Sequence, residues 1–261
     1  MGILNATPDS FSDGGRWNTV DRALHAAEAM LEAGADLIDV GGESTRPGAQ
    51  PVAPTEEIDR VVPVIEAIRD RFGCPLSVDT SAPGVMTRAV EAGACLINDV
   101  RGLTRPGALE AAAGSGASVC VMHMRGDPTT MNSRTDYEDV VGEVIEHLEG
   151  RLAAVRAAGI ADDRILVDPG FGFAKTSAQN FNMLARLGEF EALGVPLLVG
   201  MSRKRMIGDA TGQRVDRRAT GSAAAALLAA ERGARVLRVH DVEATRDALS
   251  VWQSMKGSFS S

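Results

Sequence analysis

Residues 23–48 read ALHAAEAMLEAGADLIDVGGESTRPG. Ala23, Ala27, Met30 and Leu31 recur at the spacing of one helical face. Gly34-Ala35 then stops the helix, because a glycine just past a helix end accepts the left-handed conformation that caps it. Asp36 to Gly41 is a short apolar run of strand character, and the GGESTRPG that follows is a loop dense in turn and cap residues. Helix, stop, strand and polar loop form one unit.

The unit repeats. Strand-like runs stand at Ile3 to Thr7, Asp36 to Gly41, Leu76 to Thr80, Cys95 to Val100, Ser118 to Met124, Ile165 to Pro169, Leu197 to Met201 and Val236 to His240. Each is mostly apolar, as parallel strands covered on both faces must be. Between them lie amphipathic helical patterns such as Ile58, Val61, Val62, Ile65 and Ile68, or Val140, Val144, Ile145, Leu148, Leu152 and Val155. Further Gly-Ala stops precede strands at Gly93, Gly116 and Gly233. Eight such units in a chain of 261 residues predict an α/β fold, a single-domain TIM (β/α)8 barrel over residues 1–255, with a frayed tail at 256–261.

Composition narrows the function classes. A net charge of −8 and a pI near 5.1 argue against a nucleic-acid binder or a protein of anionic membrane surfaces. No run approaches the ~20 apolar residues of a membrane span. Cys74, Cys95 and Cys120 are scattered, without the spacings of zinc sites or disulfide frameworks, and predict a cytoplasmic protein. Cys95 and Cys120 sit in apolar runs and are expected to be buried packing residues.

In a β/α barrel the chemistry sits at the C-terminal ends of the strands. Those ends carry Asn5, Asp39 with Glu43, Asp79, Asn98 with Asp99, His123, Asp168, Ser202 to Arg205, and Arg238 with His240 and Asp241. Helix capping could explain some of these positions singly, but not polarity at all eight ends. Arg46, Arg203, Lys204, Arg238 and His240 form a cationic set suited to a multiply charged anion. For Arg203 and Arg205 the plainer reading, solvated charges at a helix start, stands beside it. Asp79, Asn98 and Asp168 form a second set. Carboxylates at that depth need donors, and a flat heterocycle with amino and lactam N–H groups would supply them. The DPGFGFAK run after the sixth strand adds glycines for close approach and Phe173 as a stacking surface.

The segments GILNATPDSFSDGG (2–15), GGESTRPGA (41–49), SVDTS (77–81), INDVRG (97–102), VMHMRG (121–126), DPGFGFAK (168–175), SRK (202–204) and RVHDV (238–242) together resemble the dihydropteroate synthases of folate biosynthesis, from Met1 to about Trp252. The resemblance implies that Asp79, Asn98, Asp168 and Lys204 hold a pterin, with Met122 and Phe173 lining its slot. It implies that Asn5, Arg238 and His240 manage the pyrophosphate, with Mg2+ bound near Asn5. Thr45, Arg46, Pro47, Gly200 and Ser202 would contribute to the substrate pockets, and Phe11 would reach in from the first loop. Asp79, Asp168, Lys204, Arg238 and His240 carry catalysis in this reading.

The implied reaction joins 6-hydroxymethyl-7,8-dihydropterin pyrophosphate to 4-aminobenzoate, which sulfonamides resemble. A homodimer is implied by resemblance alone, with the small-residue helix Ala223 to Ala230 as a candidate interface. The family usually carries a longer segment ahead of the first strand, so the base of the barrel is expected to be less covered. Ala6 replaces a bulkier residue of the family pattern. Three other readings stay open: a pterin-binding methyltransferase, a Schiff-base aldolase using Lys204 or Lys175, and a non-catalytic pterin-binding paralogue.

Overall fold

The computed structural model describes residues 1–6, 16–43, 52–127 and 129–258. Eight strands alternate with helices: β1 (Gly2–Asn5), α1 (Arg16–Glu32), β2 (Ile38–Gly41), α2 (Pro54–Phe72), β3 (Leu76–Asp79), α3 (Pro83–Ala92), β4 (Leu96–Asp99), α4 (Ala108–Ser115), β5 (Ser118–Met122), α5 (Val140–Ala157), β6 (Ile165–Asp168), α6 (Ser177–Ala185), β7 (Leu197–Val199), α7 (Arg205–Thr211), α8 (Ala219–Glu231), β8 (Ala234–Leu237) and α9 (Val242–Ser258). All neighbouring strands pair in parallel in the order β1 to β8. A parallel bridge between Gly2 and Val239 closes the ring. The Ile3 amide donates to the Val239 carbonyl and the Val239 amide to that of Met1, both at 3.0 Å. This is the (β/α)8 barrel that the alternation predicts.

Strand side chains alternate in direction, so each strand serves two apolar layers. Ile38, Leu76, Ile97, Val119, Ile165, Val167, Leu197 and Val199 belong to the large core shared with the helices. Leu37, Leu96, Cys120, Leu166, Leu198 and Val236, with Met1, form a separate plug inside the ring. Stepping two residues along from the plug gives the next inward layer: Asp39, Asn98, Met122, Asp168, Gly200 and Arg238. The same alternation carries Met1 and Ile3 to Asn5, and Ser77 to Asp79. Apolar below and polar above, the interior places its functional groups at the mouth.

Several details differ from the sequence reading. Seven of the eight strands end one to three residues short of their apolar runs, and β2 alone reaches the expected Gly41. Cys120 is buried as expected, but Cys95 is exposed: it precedes β4, where its thiol donates to the Leu76 carbonyl at 3.3 Å. The expected tail starts too early, since α9 carries Lys256 and Gly257, and the Lys256 ammonium lies 4.2 Å from the Trp252 ring centre one turn back. Gly34, Gly93, Gly116 and Gly233 all take positive φ, as their role as stops requires. Among the described residues no helix is long and apolar enough to cross a membrane.

One buried group in the shell has a measurable consequence. Glu57 on α2 is almost wholly buried, and its Oε1 has no hydrogen-bond partner. Burial pushes its carboxyl from 4.5 up to about 7, with a bond to Thr80 opposing. The folded state therefore binds a proton that the unfolded chain releases near pH 4.5. The resulting penalty is absent below that pH, grows as pH rises, and is complete above about 7, at up to about 3 kcal/mol. Glu57→Gln should match the parent protein in thermal unfolding near pH 4.5 and exceed it at pH 8. An equal difference at both values would show that Glu57 does not titrate in this window.

Candidate active site

At the barrel mouth, Arg238 crosses the opening. Its Nε donates to Asp39 Oδ2 at 2.6 Å and its Nη2 to Asp79 Oδ2 at 2.7 Å. Asn98 Nδ2 donates to the same Asp39 oxygen at 3.3 Å. These contacts join β2, β3, β4 and the end of β8 across the ring. Burial pushes the Asp79 carboxyl up, and the Arg238 guanidinium holds it down. Burial would lower Arg238, but Asp39 and Asp79 reverse this and keep it firmly charged. Asp39 Oδ1 remains without a partner although Asp39 is completely buried.

Asp168 closes β6. Its Oδ1 accepts the Gly170 amide at 2.7 Å. Burial raises its pKa and the Lys204 charge opposes this most strongly. Lys204, on the turn between β7 and α7, donates to the Phe171 carbonyl and places its ammonium 4.5 Å from the Phe173 ring centre. Burial lowers Lys204 to about 8, with Asp168 pulling the other way. A side chain at Gly172 would meet Lys204 Cδ at 2.7 Å, and this residue has φ +77°, so the loop and the lysine can nest only with glycine there. Phe173 packs against Met122, Val100, Met124, Met131 and Ala174, which gives the mouth one apolar wall.

A further edge is made by the turns after β7 and β8. Ser202 Oγ accepts the His240 amide at 3.1 Å and lies 3.0 Å from His240 Nδ1. Gly200 occupies an inward position, where a Cβ would sit 3.7 Å from that of Arg238, so its small size leaves the mouth open. Asn5 lies at the end of β1, beside Gly41 in register. Thr45, Arg46, Pro47 and Phe11 lie outside the described residues.

The structure thus gathers Asp79, Asn98, Met122, Asp168, Phe173, Gly200, Lys204 and Arg238 at one mouth, with Asn5, Ser202 and His240 on its rim. Arg203 is a correction to the cationic set. It takes φ +58°, and its guanidinium pairs with Asp241 at 2.9 and 2.5 Å, so it ties the loop after β7 to that after β8. Arg205 is solvated, 3.5 Å from Asp209. Asp99 is structural as well: being outward on β4, it accepts from Ser81 and from the Arg101 and Leu103 amides.

Asp39 is an inward charge of the mouth that the sequence reading placed at a strand end but left without a role. Its inward alternation, two positions after Leu37, is the signal that finds it. The inward charges are three carboxylates, Asp39, Asp79 and Asp168, against two cations, Lys204 and Arg238. Such a mouth suits a ligand rich in N–H donors whose positive charge grows during reaction.

Residues 1–240 match the family model described as pterin binding enzyme. The dihydropteroate synthase of Escherichia coli (strain K12) is 52% identical over 251 residues, covering 96% of this chain and 89% of its own. Among solved structures, the Yersinia pestis dihydropteroate synthase with a sulfonamide drug superposes with TM-score 0.93 at 51% identity, covering 98% of this chain and 94% of that one. The Xanthomonas albilineans dihydropteroate synthase with 4-aminobenzoic acid superposes with TM-score 0.92 at 53% identity, covering 98% and 92%. The chain belongs to the pterin binding enzymes and, within them, to the dihydropteroate synthase family.

Proposed function

We propose that this chain is a transferase that displaces pyrophosphate from 6-hydroxymethyl-7,8-dihydropterin pyrophosphate with the amine of 4-aminobenzoate, giving 7,8-dihydropteroate. The observation that carries the reading is the barrel mouth, in which Asp79, Asn98 and Asp168 are gathered with Lys204 and Arg238 beside the Met122–Phe173 wall. Asp79 and Asp168 accept the pterin's amino and lactam N–H groups, Asn98 adds an amide, and Lys204 donates to the ring's acceptor edge. The C–O bond at the methylene carbon breaks, with its electron pair leaving on pyrophosphate, before much bonding to the amine has developed; the amine nitrogen then bonds to that carbon, and the new ammonium releases a proton. While the bond breaks, positive charge spreads over the pterin. Fixed carboxylates facing that charge stabilise it without reorganising. Arg238 and His240 would receive the departing anion.

The reaction would use Mg2+, a hard cation that takes oxygen donors such as a side-chain amide and pyrophosphate oxygens, and Asn5 offers such an amide at the end of β1. Asn5 would be its protein ligand, and the bound ion would neutralise the leaving group. Thr45, Arg46, Pro47 and Ser202 would form the aminobenzoate pocket, with Phe11 closing over it. The same pocket would take sulfonamides.

The chain acts in the cytoplasm in this reading, consistent with its scattered thiols, and as a homodimer. The small-residue stretch expected at the interface is largely spent within the barrel shell, where Ala223, Ala225, Ala226 and Ala229 are buried. Leu228 on α8 and Val251 and Met255 on α9 are exposed instead, and they supply the apolar surface a partner would cover.

The test is pyrophosphate release in the presence of both substrates and a sulfonamide. Inhibition that is competitive with 4-aminobenzoate supports the reading. Release that is independent of 4-aminobenzoate, or no release by a chain that binds pterin, overturns it in favour of a binding paralogue. Sedimentation of the unaltered chain, expected at twice the chain mass and at chain mass for Val251→Asp, tests the dimer.

A further inference from the structure

Beneath the loop that carries Phe173 lies a second lysine that takes no part in the mouth itself. Lys175 is buried, and its Nζ has three acceptors: His123 Nδ1 at 2.9 Å, the Gly170 carbonyl at 3.1 Å and the Phe173 carbonyl at 3.1 Å. An ammonium has three protons. The cage therefore matches the charged amine completely.

The loop it holds has backbone torsions that need holding. Gly170 and Gly172 take φ +74° and +77°, and Ala174, which bears a side chain, takes +50°. A Cβ on Gly170 would stand 1.9 Å from the His123 carbonyl, so the two loops touch at the backbone. Lys204 binds the carbonyl of Phe171, while Lys175 binds those of Gly170 and Phe173. Two lysines thus hold three carbonyls of one loop.

We propose that Lys175, anchored by the His123 imidazole, is a positioning residue for the pterin slot: it fixes the Gly170–Ala174 loop so that Phe173 and the Asp168-bound Gly170 amide are in place before substrate arrives. This rests on the pterin-transfer reading of the same mouth.

His123 is built to accept. Burial, followed by the Lys175 charge and the neighbouring His147 and Arg125, pushes its imidazole down to about 2, so the ring is neutral, and an ammonium, which can only donate, pairs with the tautomer whose Nδ1 carries the lone pair. The ring stands edge-on to His147, centroids 4.8 Å apart, and 6.2 Å from Tyr137. These contacts fix the plane in which Nδ1 meets the ammonium. Burial also lowers Lys175 to about 7, with Asp168 opposing and Lys204 and Arg125 reinforcing, and the three acceptors favour its charged form.

The experiment compares Lys175→Met, His123→Leu and His123→Asn with the unaltered chain. Asparagine places an amide oxygen where Nδ1 lies, whereas leucine removes the acceptor. Direct titration with 6-hydroxymethyl-7,8-dihydropterin gives Kd, and steady-state kinetics give KM for each substrate.

Lys175→Met and His123→Leu should weaken pterin binding and raise the pterin KM by about 10- to 100-fold, the scale of a small misplacement of binding groups. KM for 4-aminobenzoate should stay within about twofold, and His123→Asn should restore most of the pterin affinity. If Lys175→Met does not fold, the His123 pair decides.

Pterin affinity unchanged in His123→Leu, or equal loss in the Asn and Leu variants, overturns the positioning role. Failure of the unaltered chain to bind pterin overturns instead the reading beneath it.

Discussion

Lys204→Ala should lower kcat/KM by about 10²- to 10³-fold, or about 3–4 kcal/mol of transition-state stabilisation, the range for removing one preorganised charge from a closed site. Three contacts make this residue costly to lose. Its ammonium faces the Phe173 ring, binds the Phe171 carbonyl and supplies the leading positive charge acting on Asp168. Without it, burial of Asp168 is less opposed, so that carboxyl holds its proton to higher pH. A protonated Asp168 cannot stabilise a pterin cation. The variant's kcat/KM should therefore rise with pH across a range where that of the parent is flat. Loss of activity with an unchanged pH profile would mean that Lys204 acts by contact alone and that its charge does not govern Asp168.

Arg238→Met carries the largest expected effect on stability. The guanidinium is the shared partner of Asp39 and Asp79, both buried, at 2.6 and 2.7 Å. Removing one member of a buried ionic group typically costs about 3–5 kcal/mol, because the remaining charges keep their desolvation penalty. For a domain of this size that is a fall in Tm of roughly 10 °C. The sign of the pH dependence follows from Asp79, whose pKa is raised by burial and held down by Arg238. Without Arg238 it rises further. The penalty is then small at pH low enough to protonate carboxylates in both folded and unfolded chains, and it grows as pH rises above that range. Thermal unfolding at pH 5 and pH 8 should give the larger loss at pH 8. Equal losses would assign the effect to packing of the arginine stem and not to its charge.

How far the sequence carries can be judged residue by residue. The eight apolar runs and the helical faces between them are local signals, and each became the element it predicted. The strand ends shifted because a run's apolar length does not mark where the ladder stops. Period-two alternation, counted from Leu96 or Leu166, already points Asn98 and Asp168 inward. The same count from Leu37 finds Asp39. Arg203 and Lys204 are adjacent and chemically alike in sequence, and only a positive φ at Arg203 sends one to Asp241 and the other to Phe171. The His123–Lys175 contact joins residues 52 apart in the chain. No local pattern announces it, because it exists only once β5 and β6 pair. Cys95 shows the converse, a residue in an apolar run that lies at a strand start and faces out.

The most direct test of the central claim is product stoichiometry. The purified chain, with Mg2+, 4-aminobenzoate and 6-hydroxymethyl-7,8-dihydropterin pyrophosphate, should yield 7,8-dihydropteroate and pyrophosphate in equal amounts by quantitative mass spectrometry and phosphate assay. Pyrophosphate without dihydropteroate, or neither product from folded, pterin-binding protein, would contradict it.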